Sequence, residues 1–205
     1  MARALFVVLT LLTAGLTVLG YDISSGVVED LNAGRSHVDD LSDADIAEMI
    51  AGGFEATTEE ARIGEAQVAV ICVPTPLSEE GGPDLRAVES AVDAVARNLR
   101  PGMLVILEST TYPGTTDEVV RPKLEAGGLV AGTDFFLAFS PERIDPGNER
   151  FGAKNTPKVV GGHTGACTDA AAEFYGSFVD TVVRAKGTRE AETAKLLENT
   201  YRHIN

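Results

Sequence analysis

Leu137–Asn148 reads LAFSPERIDPGN. The apolar run Phe135–Phe139 marks a buried strand. Ser140-Pro141 breaks it, Glu142 and Arg143 follow at once, and Pro146-Gly147 turns the chain. A strand that delivers a charged pair suits the carboxyl edge of an α/β sheet, where such proteins bind ligands. Taken alone, the same residues also fit a surface turn carrying a solvated ion pair. The stretches on either side decide between the two.

Upstream, Val68–Val73 (VAVICV) is a continuous run rich in β-branched residues, the pattern of a strand buried on both faces, and Pro74-Thr75-Pro76 ends it. Met103–Leu107 is a second such strand, entered through the turn Pro101-Gly102. Between them Asp84–Asn98 has the spacing of an amphipathic helix. Thr115–Glu125 predicts another helix, followed after Phe135–Phe139 by a strand at Val159-Val160, a helix over Ala166–Phe178, a strand over Thr181–Arg184 and a last helix from Glu190. Nearer the start, Gly26–Asn32 predicts a short helix stopped by Gly34. Ser42 caps a helix over Asp43–Ile50 that Gly52-Gly53 ends. Phe54–Thr57 is a short strand and Thr58–Arg62 a short polar helix. Strand and helix alternate throughout, which predicts a mainly parallel α/β sheet covered on both faces.

The chain has 205 residues, enough for one large domain, and its 44% hydrophobic content supplies a full core. The formal net charge of −14, with no local basic patch, argues against nucleic acid and anionic membrane surfaces as partners. Cys72 and Cys167 form no CxxC pair, and His37, His163 and His203 are scattered, so no metal site is expected and a reduced cytoplasmic setting fits. Met1–Gly20 (MARALFVVLTLLTAGLTVLG) admits three readings: a secretory signal, a membrane span of borderline length, or a buried helix over residues 2–14 with Gly15 as its C-cap and a strand Leu16–Tyr21 ending at Asp22.

Four places carry candidate chemistry. In Glu108–Thr116 (ESTTYPGTT), Ser109 and Thr110 follow a buried strand, so their hydroxyls can donate to a phosphate, a ribose or a water, or simply cap the next helix. Val73-Pro74-Thr75 forms a stiff strand end suited to a flat cofactor, or plainly terminates a strand. Asp22 closes an early strand, where dinucleotide-binding folds place the acid that bonds the ribose of NAD; the GxGxxG turn that precedes it in such folds is not in this sequence. Lys195 and Asn199 lie one helical turn apart, a cation and an amide able to stabilise an oxyanion, or a solvated helix face.

Pro74-Thr75-Pro76, ESTTYPGTT, SPERIDPGN, Pro157–Gly162 (PKVVGG) and AETAKLLENTYRHIN, in this order and spacing, resemble the UDP-glucose/GDP-mannose dehydrogenase family. Among its members, STTYPGTT and SPERIDPGN are most similar to the UDP-N-acetylglucosamine and UDP-N-acetylmannosamine 6-dehydrogenase branch. The resemblance runs from about Leu5 onward. It implies oxidation of the C6 alcohol of a UDP-sugar to a carboxylate with two NAD in succession, on a Rossmann-like doubly wound fold, in a cytoplasmic homodimer. It implies cofactor contacts at Asp22, Val73, Pro74, Thr75, Ser109 and Thr110. It gives catalytic work to Thr110, Glu142, Lys195 and Asn199, and substrate binding to Glu142, Arg143, Lys195 and Asn199. It also selects the helix-and-strand reading of Ala2–Gly20.

The departures are as informative. The family's first strand and glycine-rich turn, its catalytic cysteine and its UDP-binding domain have no counterpart in this sequence, and Pro146 stands where an acid is often found. An N-terminal fragment is therefore expected, with residues 1–187 as the NAD-binding domain and residues 188–205 starting the central dimerisation helix. A non-catalytic remnant pairing with a homologue, and a secreted or membrane-anchored binding protein, are the competing expectations.

Overall fold

The structure, a computed structural model, describes residues 12, 15–38, 41–77, 82–142 and 155–204, with side chains at all of them except 199 and 202–204. The Gly15 turn is in place: Gly15 has φ 79° and its N–H donates to the Leu12 carbonyl at 2.9 Å. The rest of the helix expected over residues 2–14 lies outside the described residues, as do Arg143 and the Pro146-Gly147 turn.

The described strands fall into two sheets. Strand β1 (Leu19–Tyr21) pairs in parallel with β2 (Glu55–Thr57). Helices α1 (Ser25–Asn32) and α2 (Asp43–Ala51) bury Val28, Leu31, Ile46 and Met49 together with Phe54 and Ala56. The Ser42 cap is a full capping box, because its side chain takes the Asp45 N–H while the Asp45 carboxylate takes the Ser42 N–H. The polar helix after β2 is a 3₁₀ segment, Glu60–Glu65.

The second sheet has the order β3-β4-β5-β6-β7. Its strands are β3 (Val68–Ile71), β4 (Leu104–Leu107), β5 (Phe136–Phe139), β6 (Lys158–Gly162) and β7 (Val182–Arg184). Alternation along β4 builds both faces. Val105 and Leu107 join Val88, Val92, Leu124 and Ala191 on one side, while Leu104 and Ile106 join Ala171, Ala172 and Tyr175 on the other. The first face is covered by α3 (Arg86–Arg97), α4 (Arg121–Glu125) and the start of α6 (Thr188–Ile204), the second by α5 (Gly165–Gly176). Burying each Val, Leu or Ile removes apolar surface worth about 1.5–3 kcal/mol. A π-helical turn, Thr116–Val120, leads into α4, where a single helix was expected.

Three details position the site. First, β3, β4 and β5 are mutually parallel with Ile71, Leu107 and Phe139 side by side, so the residues after each strand emerge at one edge. Second, β6 runs antiparallel to β5, a departure within the mainly parallel sheet. An antiparallel neighbour starts where its partner ends, so the start of β6 at Lys158 lies at the edge to which β5 delivers Glu142. The register pairs Phe139 with Gly161, and continued outward it sets Lys158 opposite Glu142. Third, β6 is packed so closely that a Cβ on Gly161 would lie 2.0 Å from the Gly187 carbonyl and one on Gly162 2.2 Å from the Thr168 nitrogen. Only glycines admit that approach of α5 and of the loop entering α6.

Among the described residues no strand joins β1 to β3, so each of these has a neighbour on one side alone.

Candidate functional site

The carboxyl ends of β3, β4 and β5 present Cys72–Thr75, Glu108–Thr111 and Ser140–Glu142 along one edge. β3 stops at Ile71, two residues before the expected end, because the Glu108 and Ser109 N–H groups both turn to the Ile71 carbonyl. Ser109 is buried and its hydroxyl donates to the Val73 carbonyl at 2.7 Å. That hydroxyl thus fixes the strand end carrying Pro74 and Thr75. Thr75 and Thr110 are half-buried at the edge, whereas Pro74 is exposed.

Thr111, which sequence reasoning passed over, is 3% exposed and its hydroxyl has no hydrogen-bond partner among the described residues. A buried hydroxyl in that state costs about 1–3 kcal/mol, so it invites a polar ligand or a water. The sequence placed a run of three hydroxyls here and gave no means of telling which one faces inward.

Glu142 and Lys195 meet. Glu142 is 8% and Lys195 6% exposed, and the Lys195 ammonium donates to the Glu142 main-chain carbonyl. Residues from a strand end and from a helix 53 positions later are thereby joined. Asn199 follows Lys195 one turn along α6; its side chain, like all of Arg143, lies outside the described residues.

A second carboxylate sequence reasoning missed, Glu192, holds α6 against the hydroxyl turn. It is fully buried and accepts from the Gly114 N–H (2.5 Å), the Thr116 N–H (2.9 Å) and the Thr116 hydroxyl (2.7 Å). Burial pushes its pKa up, against these three donors. Asp117 extends the clamp, accepting from Thr188 Oγ1 at 2.5 Å and lying 2.7 Å from His163 Nδ1. Thr188 and Glu192, in the first turns of α6, are thus buried against the segment Gly114–Asp117.

Beneath Glu142 lies a buried polar cluster. Lys158 Nζ is 2.7 Å from Glu108 Oε1 and 3.5 Å from Glu142 Oε2. Tyr175 donates its hydroxyl to Glu108 Oε1, Cys72 Sγ is 3.4 Å from Glu108 Oε2, and the Lys158 ammonium sits 5.0 Å from the Tyr175 ring centre. Burial alone would lower the Lys158 pKa, but the Glu108 and Glu142 carboxylates outweigh it and the net shift is upward. Burial, then the Glu108 charge, pushes Cys72 and Tyr175 well above their ordinary values. A thiol held protonated in this way is a poor nucleophile. Cys167 is fully buried in α5.

Asp22 ends β1 in the other sheet. Its Oδ1 accepts from the Ser24 N–H at 2.8 Å, and the adjoining Ile23 is 83% exposed. Beyond β3, Leu77 is 78% exposed. A backbone turn for a pyrophosphate is not among the described residues. No group of three or more His, Cys, Asp or Glu placed to hold a metal occurs among the described residues, and no helix described is long and apolar enough to cross a membrane.

Comparison with known proteins gives a consistent answer. Residues 5–179 match the UDP-glucose/GDP-mannose dehydrogenase family, NAD binding domain. The UDP-N-acetyl-D-mannosamine dehydrogenase of Pyrococcus horikoshii is 35% identical over 195 residues, covering 94% of this chain and 46% of that protein. The UDP-N-acetyl-D-glucosamine 6-dehydrogenase of Pseudomonas aeruginosa is 34% identical over 191 residues, covering 92% and 45%. The solved structure of the P. horikoshii UDP-D-ManNAc dehydrogenase superposes with a TM-score of 0.91 at 34% identity, covering 98% of this chain and 49% of that one. The chain spans about half the length of the curated relatives it matches.

Proposed function

The chain belongs to the UDP-glucose/GDP-mannose dehydrogenase family, in the part that forms its NAD-binding domain, and from that premise we propose that it is the cofactor half of an NAD-dependent enzyme oxidising the C6 alcohol of a UDP-sugar to the uronate. The observation that carries the reading is the meeting of Lys195 with Glu142 at the carboxyl edge, the same edge to which β4 delivers Thr111, whose buried hydroxyl has no partner among the described residues. A UDP-N-acetylhexosamine is the favoured substrate, from the resemblance of the STTYPGTT and SPERIDPGN motifs. UDP-glucose is the alternative.

NAD, when bound, supplies the hydride acceptor for each oxidation. Asp22 would hold its ribose, and Val73, Pro74 and Thr75 would line the nicotinamide side, fixed from beneath by Ser109. Lys195, with Asn199, stabilises the oxygen charge that develops on C6. Glu142 takes up a proton and, with the hydroxyls of Thr110 and Thr111, places the water for the final hydrolysis. The thiol needed between the two oxidations comes from outside this chain, since Cys167 is fully buried and the half-buried Cys72 thiol, desolvated and facing the Glu108 carboxylate, is kept protonated. Leu197 (71% exposed) and Tyr201 (69% exposed) on α6 support a homodimer through that helix, and a cytoplasmic setting accords with the substrate.

The test is a chimera in which this chain replaces the stretch it matches in the P. horikoshii relative. Reduction of NAD that depends on a UDP-sugar, with two equivalents formed per sugar, is the expected result. A folded chimera that reduces no NAD with UDP-N-acetylmannosamine, UDP-N-acetylglucosamine or UDP-glucose would overturn the reading.

A further inference from the structure

We propose that Glu192 is a positioning residue for Thr111: by taking three donors of the turn that follows, it holds the hydroxyl run still and keeps the buried Thr111 hydroxyl available to a hydroxyl or water of the ligand. The inference rests on the reading of the carboxyl edge as the site.

The buried hydroxyls of segment 109–116 are committed, with one exception. Ser109 donates to the Val73 carbonyl at 2.7 Å. Thr115 donates its hydroxyl to the Tyr112 carbonyl at 2.7 Å, and its N–H goes to the same oxygen at 3.1 Å. The Thr116 hydroxyl and N–H both end on Glu192, at 2.7 and 2.9 Å, and the Gly114 N–H joins them at 2.5 Å. The exception is Thr111, 3% exposed, whose hydroxyl has no partner among the described residues. Its neighbour Tyr112 is partly exposed, so the chain turns Thr111 inward just before the pinned turn. Gly114 lies at φ 105° and adds no stiffness of its own. The stiffness comes from α6, through Glu192 and, one residue past Thr116, through the Thr188 hydroxyl on Asp117.

Stability alone does not account for a carboxylate at 192. Glu192 is fully buried, and all its hydrogen bonds come from neutral donors. Burial raises its pKa against those donors, and the Asp117 charge adds to the rise. Burying such a group without a counter-ion costs more than attaching the helix by an apolar side chain. What the carboxylate adds is direction. Apolar contact is non-directional, whereas three donors converging on one acceptor-only group fix how the turn is oriented.

The experiment labels the threonine methyl groups of the 205-residue chain with carbon-13 and follows Thr111, assigned through Thr111→Val. Glu192→Gln keeps the volume but sets a donor nitrogen beside a single acceptor oxygen. The Gly114 and Thr116 amides should then exchange about tenfold or more faster, the loss of a bond to a charged group. The Thr111 methyl signal should shift and broaden, while that of Thr168, on α5, stays in place. If Glu192→Gln does not fold, Thr116→Val removes one of the three donors and should move the Thr111 signal in the same way. Thr111→Val should itself melt no lower than the unaltered chain, because no hydrogen bond is lost. In the chimera, Thr111→Val and Glu192→Gln should each lower kcat on the order of 10- to 100-fold. The double variant should lose no more than the worse of the two, since one residue acts through the other. A folded Glu192→Gln or Thr116→Val chain that melts lower while its Thr111 signal stays in place would overturn the proposal and leave Glu192 merely structural. Losses that multiply in the double variant, or a Thr111→Val chain that melts markedly lower, would do the same. The methyl signals need neither NAD nor a sugar, so a chimera without turnover would sink the proposed function and leave this inference open to its own test.

Discussion

At Lys158, Tyr175 and Cys72 the interior makes an unusual demand on pH. Each of these groups has its pKa raised in the folded chain, from ordinary values of 10.5, 10.0 and 9.0. Each therefore binds its proton more tightly folded than unfolded. Their contributions are complete below about pH 9 and fade as the pH climbs through the raised values. Stability should thus hold from neutral pH to about pH 9 and then fall steeply by about pH 10.5, and urea midpoints across that range measure it. A flat profile would mean that the cluster is wetter than the structure shows. Lys195 and Glu142 are tested differently, in the chimera. Lys195→Ala should slow turnover by roughly 100-fold or more, the cost of an oxyanion donor elsewhere. Glu142→Gln should impair hydrolysis most, so that an acyl adduct accumulates on the cysteine contributed by the relative, visible by intact-mass spectrometry. Steady turnover without an adduct would take Glu142 out of the water-placing step.

Among the elements, the strands and helices with strong local patterns were legible and the polar contacts between them were not. VAVICV, Met103–Leu107 and Phe135–Phe139 announced β3, β4 and β5 because β-branched and large apolar runs favour strands. Of the three, only β4 is buried along its whole length, and in β3 Val68–Val70 are half-buried rather than enclosed on both faces. Ser42 announced its helix through a local hydrogen bond that sequence spacing encodes. Glu142 and Lys195 were singled out from the motifs and do meet. By contrast Glu192 reaches the turn at Gly114 and Thr116, and Lys158 reaches Glu108, across separations that no local pattern records. The antiparallel turn-back of β6 escaped for the same reason, since a strand's own residues fix its burial and say little about its direction. The edges of the two sheets carry a further expectation. β4 and β5 have neighbours on both sides, whereas β1 and β3 have one each among the described residues. In a parallel pair half the amides of a one-sided strand point away from the partner. Hydrogen exchange should therefore run faster in Leu19–Tyr21 and Val68–Ile71 than in Leu104–Leu107 and Phe136–Phe139. Equal protection in β3 and β4 would show that β3 has a second neighbour.

For the molecule as a whole, the resemblance names NAD and the sequence withholds part of what grips it. Asp22 and the Thr75 strand end remain, while no GxGxxG occurs anywhere in the 205 residues. In dinucleotide-binding folds that turn brings backbone N–H groups and a helix N-terminus to the pyrophosphate. Hydrogen bonds to a charged group are worth about 1.5–3 kcal/mol each. The loss of even two raises a dissociation constant on the order of 100-fold or more. The net charge of −14 adds repulsion toward an anionic ligand, which salt screens within a distance of about 10 Å at moderate ionic strength. The purified 205-residue chain should therefore bind NAD well above the micromolar range in titration calorimetry, and the chimera, which regains the relative's turn, should bind it far more tightly. The difference between the two measures what the turn contributes. Micromolar affinity in the chain by itself would show instead that Asp22, the strand end at Thr75 and the bare apolar surface at Ile23 and Leu77 suffice to hold the cofactor.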